Sequence, residues 1–286
     1  MIKNRTASFI ILSIIYIVVS AVGILTYIVL PFDMWLNLLL ADIVATILTF
    51  VFSLIFKNAS VYDPYWSVQP IVILLAFSIF EEMSWFAILM LLVVCIWGVR
   101  LTANWAYTFY GLNCQDWRYT MLKEKTGKFY PIINFVGIHL VPTLIVYACT
   151  LPAVYIIQSD ISGNAWAVVF LIISLCAVIL QGTADCQMHK FKKYRKAEDK
   201  FIRNGLWKYS RHPNYLGEIL MWWGIGLASV CYMQDAWYLL GGAILNTILF
   251  FCVSIPMADG RQSRKDGFNE YKKQTRMLLP IKRFKK

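Results

Sequence analysis

Eight long apolar stretches, separated by short polar segments, run from near the N-terminus to about residue 255. A bilayer core about 30 Å thick needs about 20 apolar residues per helix. The pattern therefore predicts an all-α, polytopic membrane helix bundle of about seven or eight transmembrane helices. The third stretch is short, so its helix is expected to be tilted, re-entrant or partly buried in protein. The stretches are Ser8 to Leu30, Met34 to Phe56, Trp66 to Phe80, Ser84 to Tyr110, Ile132 to Gln158, Asn164 to Gln187, Pro213 to Val230, and Ala236 to Ile255.

Positive charges occur only in alternate connections between these stretches. If the N-terminus lies in the cytoplasm, all 27 Lys and Arg fall in inner loops or at inner helix ends. Because inner loops of membrane proteins are enriched in Lys and Arg, both termini are expected in the cytoplasm. The inner loops are also the longer ones, so an active site is expected to open there. The outer turns then carry only acidic charges, at Asp33, Glu81, Glu82, Asp160 and Asp235.

Composition excludes several classes of protein. The 286 residues are 59% hydrophobic and 15% charged, which is too apolar for a soluble domain, so an integral, multi-pass protein of the cell membrane is expected. The net charge of +11 is expected to face anionic lipid headgroups or an anionic ligand, not nucleic acid. The seven Cys lack a C-x-x-C pair and His partners at metal spacing, so reduced packing residues and no metal site are expected. The first apolar run lacks a cleavage site and is expected to remain as an anchor.

The stretch Gly205-Leu-Trp-Lys-Tyr-Ser-Arg-His-Pro-Asn-Tyr-Leu-Gly-Glu218 changes from basic to apolar at Pro213. Proline suits the first turn of a helix, because its missing N–H would be unpaired there and its φ is preset. A helix is therefore expected to begin at about Pro213. The free N–H groups of that turn, the positive end of the helix dipole, and Arg211 and His212 together predict an anion site suited to a phosphate.

Polar residues follow on one face of this helix. Asn214 and Glu218 are four apart, so they share a face and can donate to and accept from an amide. Gly217 is expected to leave room for a flat group against the backbone, and Tyr209 or Tyr215 can stack or donate a proton. Glu218 lies inside an apolar span, where an ionisable residue is costly and is a functional candidate. The alternative is an ordinary helix entry at a membrane surface, with Arg and Lys side chains reaching the headgroups.

Asp63 lies at the mouth of the third span, in the segment Val61-Tyr-Asp-Pro-Tyr-Trp-Ser67. Its carboxyl is expected either to cap the following helix or to act as a proton donor whose pKa is raised by burial. Trp66 either belongs to an interfacial aromatic belt or lines a site. Arg100, at the end of Trp97-Gly-Val-Arg100, is expected to reach the headgroups or to pair with a buried partner such as Asp63.

Two further groups could line a site. The consecutive residues Asp116 to Tyr119 are polar or aromatic, and only some of them can face one way. Gln181, Asp185 and His189 are spaced by four, so they share a helix face, and Lys192 is nearby. Asp185 is expected either to accept from ribose or adenine groups or to pair with one of the cations that follow.

The chain ends in an amphipathic, cationic segment, Asp259 to Lys286. An interfacial helix explains this pattern, and Arg261 and Arg264 could also cap a pocket. No internal repeat, low-complexity segment or linker divides the chain. Residues 1–286 are therefore expected to form one membrane-embedded domain, whose first 59 residues hold the two N-terminal spans.

Taken together, these motifs resemble the steroid 5-alpha-reductase superfamily, and most closely its bacterial branch of uncharacterised multi-pass membrane proteins. The resemblance covers roughly residues 60–280. The most specific part is the stretch from Gly205 to Glu218. The other parts occur in the same order as in the family and are Asp63 with Trp66, Trp97 to Arg100, Asp116 to Tyr119, Asp185 to Gln187 with Phe191, and Gly267 to Tyr271 leading to Pro280.

The resemblance implies an all-helical membrane enzyme that holds NADPH in a cytoplasm-facing cavity and reduces a carbon–carbon double bond conjugated to a ketone. It implies that Asn214 and Glu218 hold the nicotinamide end, and that Asp185 and nearby cations hold the nucleotide end. The charges of a dinucleotide suit the cation-rich loops, whereas hydride transfer suits a dry, apolar chamber. The expected cofactor-binding residues are Asp185, Lys192, Tyr209, Arg211, His212, Asn214, Tyr215, Glu218 and Arg264.

The implied substrate is a lipophilic, steroid- or terpenoid-like enone that enters a monomeric enzyme from the bilayer. The steroid enzymes polarise the substrate ketone with a glutamate and a tyrosine. Asp63 aligns near that glutamate, but Trp97 aligns near that tyrosine and cannot act as its acid. Asp63 and Tyr119 are therefore the catalytic candidates. The expected substrate contacts are Trp66, Trp97, Arg100 and Asp116.

Two other functions are compatible with the sequence. A membrane methyltransferase that uses S-adenosylmethionine, similar to isoprenylcysteine carboxyl methyltransferases, would share Arg211-His-Pro-x-Tyr-x-Gly217. Asn214 and Glu218 count against it, as does Asp259-Gly260, where that family is expected to have paired acidic residues. A non-catalytic lipid-binding or scaffold protein is the third hypothesis, in which an unpaired, charged Glu218 would be a cost without a purpose.

Overall fold

The computed structural model describes residues 4–159 and 163–279, and these ranges contain no β-strand apart from an isolated bridge between Ser210 and Arg276. The helices before residue 160 are α1 (Arg5–Val29), α2 (Met34–Ile55), α3 (Tyr65–Ser78), α4 (Trp85–Thr108), α5 (Trp117–Thr126), α6 (Tyr130–Ile132) and α7 (Val141–Ile157). The later helices are α8 (Ala165–Tyr194), α9 (Pro213–Val230), α10 (Gly241–Leu249), α11 (Ile255–Gln262) and α12 (Phe268–Gln274). Short 3-10 turns lie at Ala59–Val61, Gly127–Phe129, Gly205–Lys208 and Gln234–Leu240.

The all-α polytopic fold is confirmed. Within the described ranges, six helical segments are long and apolar enough to cross a membrane. The predicted third span is the 14-residue α3, which is too short to cross unaided, and α9 carries the polar Asn214 and Glu218 in its first two turns. Asp160 and Pro280 lie outside the described residues. The six segments are Arg5–Val29, Met34–Ile55, Trp85–Thr108, Trp117–Ile157, Ala165–Tyr194 and Asp235–Gln262.

Side-chain caps fix several of the helix starts that the sequence predicts. Asp33 precedes α2 and accepts hydrogen bonds from the backbone N–H groups of the first turn, at 3.0 and 3.1 Å. Asn164 precedes α8 and accepts from the Ala167 N–H at 2.9 Å. Such caps satisfy N–H groups that have no partner inside the helix. Helix α9 begins at Pro213, as predicted.

Two helices contain π-helical segments, and each segment ends two residues before a proline. Residues Ile133–Leu140 precede Pro142, and residues Phe250–Ser254 precede Pro256. Proline has no N–H and its ring crowds the carbonyl four residues earlier, so the regular hydrogen-bond ladder cannot continue through it. A wider turn relieves this crowding. The apolar pattern of the sequence does not reveal this change of register.

The helices form two compact units, which are described separately. The first unit comprises Met1–Met83 and Val94–Asp160. Its core packs one face of α1 against aromatic side chains from the turn before α3 and from α5. The buried residues of this core include Leu12, Ile15, Val19, Tyr62, Tyr65, Tyr119 and Ile138.

The second unit comprises Ser84–Val93 and Ile161–Lys286. Its main feature is the close packing of α8 against α9 along two glycines of α9. A Cβ atom at Gly224 would lie 2.1 Å from the Ser174 Oγ, and one at Gly217 would lie 2.5 Å from the Gln181 Cγ. Small residues let helix backbones approach closely in this way. The expectation that Gly217 leaves room for a flat ligand group is therefore wrong, because α8 occupies that space.

This packing predicts that a methyl group at Gly224 destabilises the fold. We expect Gly224→Ala to lower the free energy of unfolding by about 1–3 kcal/mol, because the added atom overpacks a tight interface. Gly241 in α10 is a matched control, since a Cβ there would meet nothing within 4 Å. Gly241→Ala should leave stability unchanged or slightly higher, because Ala favours helix. Thermal unfolding of both variants in one detergent, followed by tryptophan fluorescence, tests this, and equal melting temperatures would contradict it.

Candidate functional site

The turn before α3 is held to the loop before α5 by the side chains of Asn58 and Gln115. The Asn58 Nδ2 donates to the backbone oxygens of Leu112 at 2.8 Å and Cys114 at 3.0 Å. The Gln115 Oε1 accepts from the Ala59 N–H at 3.1 Å. These bonds satisfy backbone groups of two irregular segments, which would otherwise be costly to bury. They also bring together side chains that are far apart in the sequence.

Asp63 and Tyr119 form the central pair of this first-unit site. The Tyr119 hydroxyl donates to the Asp63 Oδ1 at 2.5 Å, and Tyr119 is buried whereas Asp63 is partly buried. Burial raises the pKa of Asp63 to about 6, although Arg118 and the Tyr119 hydrogen bond act in the opposite direction. The capping alternative for Asp63 is wrong, because the N-cap of α3 is Pro64 and no side chain caps that end.

Asp116 and Arg118 lie beside this pair. Asp116 caps α5 by accepting from the Arg118 N–H at 2.9 Å, and it also accepts from the Arg118 Nε at 2.8 Å. The guanidinium lies 5.6 Å from the centre of the Tyr119 ring. The Ser60 Oγ accepts from the Asp116 N–H at 2.9 Å. A cation and two carboxyls therefore lie within one small region of the first unit.

A cleft of about 290 Å³ opens next to Asp63. Two of the predicted substrate contacts, Trp66 and Asp116, line it together with Arg118. Tyr119 is not among the described residues that line the cleft, although its hydroxyl donates to Asp63, which does line it. Trp97 is fully buried, and neither Trp97 nor Arg100 is among the described lining residues. The cleft thus contains part of the predicted substrate site.

In the second unit, α8 and α9 bring together the residues that the resemblance assigns to a cofactor. The Asn214 Nδ2 lies 3.4 Å from the Asp185 Oδ1, and both side chains are partly buried. Glu218 is buried one turn further along α9. Its Oε2 accepts from the Gln181 Nε2 at 3.0 Å, and its Oε1 accepts from the Trp222 Nε1 at 2.9 Å.

The interpretation of Glu218 as an unpaired charge is therefore wrong. Each of its two oxygens has a partner within the unit, and such hydrogen bonds offset the cost of burying a carboxylate. The spacing of four between Glu218 and Trp222 could have predicted the second partner.

Arg211 and His212 bind Asp259. The Arg211 Nη2 lies 3.2 Å from the Asp259 Oδ2, and the His212 Nε2 lies 3.0 Å from the Asp259 Oδ1. The Arg211 Nη1 also donates to the backbone oxygen of Thr275 at 2.7 Å. The side chains of Arg211, His212 and Asp259 are all buried. The donors that the sequence assigns to a phosphate are thus already used within the protein.

The other predicted cofactor residues have varied environments. The Tyr215 ring stacks on the His212 ring, with centres 5.2 Å apart, and contacts Phe250. Tyr209 is 39% exposed and lies next to the Lys208 ammonium group. Lys192 and Arg264 are exposed. None of these contacts tests a ligand role, so the roles stay predictions.

A second cation-rich feature of this unit is a pocket of about 320 Å³ after the end of α8. It is lined by Arg195, Lys196, Lys200 and Lys265 together with Asp199. Burial and the neighbouring Arg195 lower the pKa of Lys265. Such a concentration of positive charge favours an anion. The run of nine Lys and Arg between Lys190 and Arg211 signals this pocket, although the spacing does not show which of them meet.

A protein-family model described as a protein of unknown function, DUF1295, matches residues 49–275. The chain belongs to this family. The DUF1295 family is related to steroid 5-alpha-reductase-like membrane proteins, which agrees with the resemblance stated above at the level of the superfamily.

An uncharacterized protein of Schizosaccharomyces pombe is 28% identical over 196 residues, which cover 58% of this chain and 56% of the relative. The chain therefore spans little more than half the length of this curated relative. No solved structure matches the chain.

The contact of Arg211 and His212 with Asp259 predicts a large effect of a single substitution. We expect Asp259→Asn to lower the free energy of unfolding by about 3–5 kcal/mol, because it leaves the buried Arg211 charge without a countercharge. Asp266→Asn is the control, since Asp266 pairs with Lys200 but is exposed, and exposed ion pairs contribute little. Denaturation of both variants in detergent micelles tests this. Similar stability losses in the two would show that the buried contact is not structural.

Proposed function

We propose that the protein is an integral-membrane, NADPH-dependent reductase that acts on the conjugated C=C bond of a lipidic enone. The observation that carries this proposal is the Asp63–Tyr119 pair beside the cleft of about 290 Å³. The steroid reductases that the family resembles polarise a ketone with a glutamate and a tyrosine. Trp97 cannot act as that tyrosine. Tyr119, which lies at another position in the sequence, can take its place, because its hydroxyl is 2.5 Å from the Asp63 Oδ1.

The residues of the second unit fit a dinucleotide. The cation-lined pocket suits its phosphates, and Asp185 beside Asn214 offers an acceptor for ribose or adenine donors. Asn214 and Glu218 can donate to and accept from the nicotinamide amide, respectively. We place the phosphates on Arg195, Lys196 and Lys265, since Asp259 occupies Arg211 and His212. NADPH supplies a hydride when it is bound.

The residues of the cleft can supply the proton. Reduction of an enone places negative charge on the carbonyl oxygen, and a neutral Asp63 carboxyl can donate a hydrogen bond and then a proton to that oxygen. The enol then takes a proton from water at the α carbon and returns its O–H proton to the Asp63 carboxylate, which gives the ketone and restores the neutral acid. Tyr119 is a positioning residue, whose hydroxyl fixes one oxygen of Asp63 and stabilises the carboxylate that remains. Trp66 lines the cleft beside these polar groups and offers an apolar surface to the substrate.

The protonation of Asp63 predicts the pH dependence of the reaction. Burial raises the pKa of Asp63 from its ordinary value to about 6, so the neutral donor is present below about pH 6 and is lost as the pH rises. We therefore expect kcat/KM for enone reduction to fall above about pH 6. Asp63→Asn should lower the rate and remove this pH dependence, because an amide has no proton to transfer. A pH profile that is identical in wild type and Asp63→Asn would contradict the assignment.

Tyr119→Phe should lower kcat/KM about 10- to 100-fold and raise the apparent pKa of the profile, because the carboxylate of Asp63 loses its hydrogen-bond donor. Tyr107→Phe is the matched control, since Tyr107 lies in the same unit and is 64% exposed. A structural role alone would lower the amount of folded protein without moving the profile.

Cofactor binding gives a test that does not require the substrate. Titration of purified protein with NADPH should show binding that weakens steeply with salt, because charged groups are screened. We expect Lys265→Gln to weaken NADPH binding about 10-fold. Lys123→Gln is the control, because Lys123 is exposed and lies in the first unit, and it should leave NADPH binding unchanged. S-adenosylmethionine is titrated in parallel. Binding of S-adenosylmethionine in place of NADPH would support the methyltransferase hypothesis. Binding of neither compound would support the hypothesis of a non-catalytic protein.

A further inference from the structure

The first unit contains a second cavity, of about 390 Å³, whose described lining residues are entirely different from those of the cleft beside Asp63. Helix α3 separates the two. Its residues Gln69, Val72 and Ala76 face the second cavity, whereas Trp66 and Ser67 face the cleft. The remaining walls come mainly from α1 and α2 and are apolar. The volume lies within the range of small-molecule sites, toward the small end.

The inner end of this cavity is polar although it lies within membrane-spanning helices. Asp42 is buried in α2, eight residues after Met34, or about 12 Å along the helix axis at 1.5 Å per residue. Its Oδ1 accepts from the Tyr65 hydroxyl at 2.8 Å, and its Oδ2 accepts from the Gln69 Nε2 at 2.6 Å. A buried carboxyl inside a membrane span is expensive and marks a functional region.

Gln69 is left with one unsatisfied atom. Its side chain is 6% exposed, and its Oε1 has no hydrogen-bond partner among the described residues. The Gln69 Nε2 is directed to the Asp42 carboxyl, so the Oε1 is the amide atom that remains for a ligand. A buried acceptor without a partner costs free energy that a ligand donor would recover. Gln69 therefore presents a neutral acceptor at the inner end of an apolar cavity.

The outer end of the cavity is its opening. Phe80 and Glu81, just after α3, and Gln158, at the end of α7, line this end and are exposed. Polar residues at the rim and apolar walls below them match the edge of a bilayer. A ligand would enter with its polar group first and leave its apolar body between α1, α2 and α3.

We propose that this cavity binds a small lipophilic alcohol, whose hydroxyl donates to the Gln69 Oε1 and whose hydrocarbon body fills the space between α1 and α3. A hydroxyl suits this depth better than an amine, because it brings no charge into the membrane-spanning part of the protein. The site does not depend on the proposed reductase function, since it shares no described lining residue with the cleft beside Asp63.

Tritiated farnesol is a suitable probe for the full-length protein in nanodiscs. We expect saturable binding of one farnesol per chain. Farnesyl methyl ether keeps the oxygen but cannot donate, and farnesene lacks the oxygen, so both should compete about 10-fold more weakly than unlabelled farnesol. Equal competition by the alcohol, the ether and the hydrocarbon would overturn the proposal. It would show that the cavity recognises only the hydrocarbon, as it would the acyl chain of a lipid. The absence of saturable farnesol binding would also overturn it.

Two variants locate the site. Gln69→Leu keeps the size of the side chain but removes the acceptor, so the preference for alcohol over ether should disappear. Ala76→Phe fills the cavity, so saturable binding should be lost even if Gln69→Leu does not fold. Ile79→Phe is the control, because Ile79 adjoins α3, is 75% exposed, and is not among the described lining residues. Unchanged binding in Ala76→Phe would place the alcohol elsewhere and overturn the assignment.

Discussion

The pairing of buried polar groups within the protein is the constraint on which the structure depends. An apolar helix bundle offers no water to such groups, and each unpaired one costs several kcal/mol. Arg211 shows how the constraint organises the second unit. Its backbone N–H donates to the Arg276 oxygen, and its guanidinium reaches Asp259 in α11 and the backbone oxygen of Thr275 after α12. One buried cation thereby fixes the start of α9 against the C-terminal segments.

The same constraint shapes the first unit with neutral groups. Tyr62 and Thr46 both hydrogen-bond to the Thr143 hydroxyl, which joins the turn before α3 to α2 and α7. Asn58 holds the loop before α5. Because these side chains have fixed partners, they define where the irregular segments lie. The Asp63–Tyr119 pair is a consequence of this arrangement and not of local sequence.

The local features of the fold could be predicted, whereas features that depend on tertiary neighbours could not. The caps at Asp33 and Asn164 and the helix start at Pro213 follow from residue types alone. The close packing at Gly217 and the Gln181 partner of Glu218 could not be predicted, because α8 supplies the atoms that contact them. In the same way, Asp63 and Tyr119 each stood out in the sequence, but a separation of 56 positions gives no sign that they meet.

The carboxyls of Asp259 and Asp63 differ in what surrounds them. This difference gives Asp259 a structural role and makes Asp63 the candidate proton donor. Asp259 has Arg211, His212 and Lys272 within 3.5 Å, so its charge is balanced and it holds three segments in place. Asp63 accepts from the Tyr119 hydroxyl and borders a cleft, and burial outweighs the effect of the nearby Arg118, so its pKa is raised to about 6. A carboxyl that must release a proton cannot be surrounded by cations, because they would stabilise its ionised form. Of these two acids, only Asp63 is therefore suited to donate a proton to a substrate.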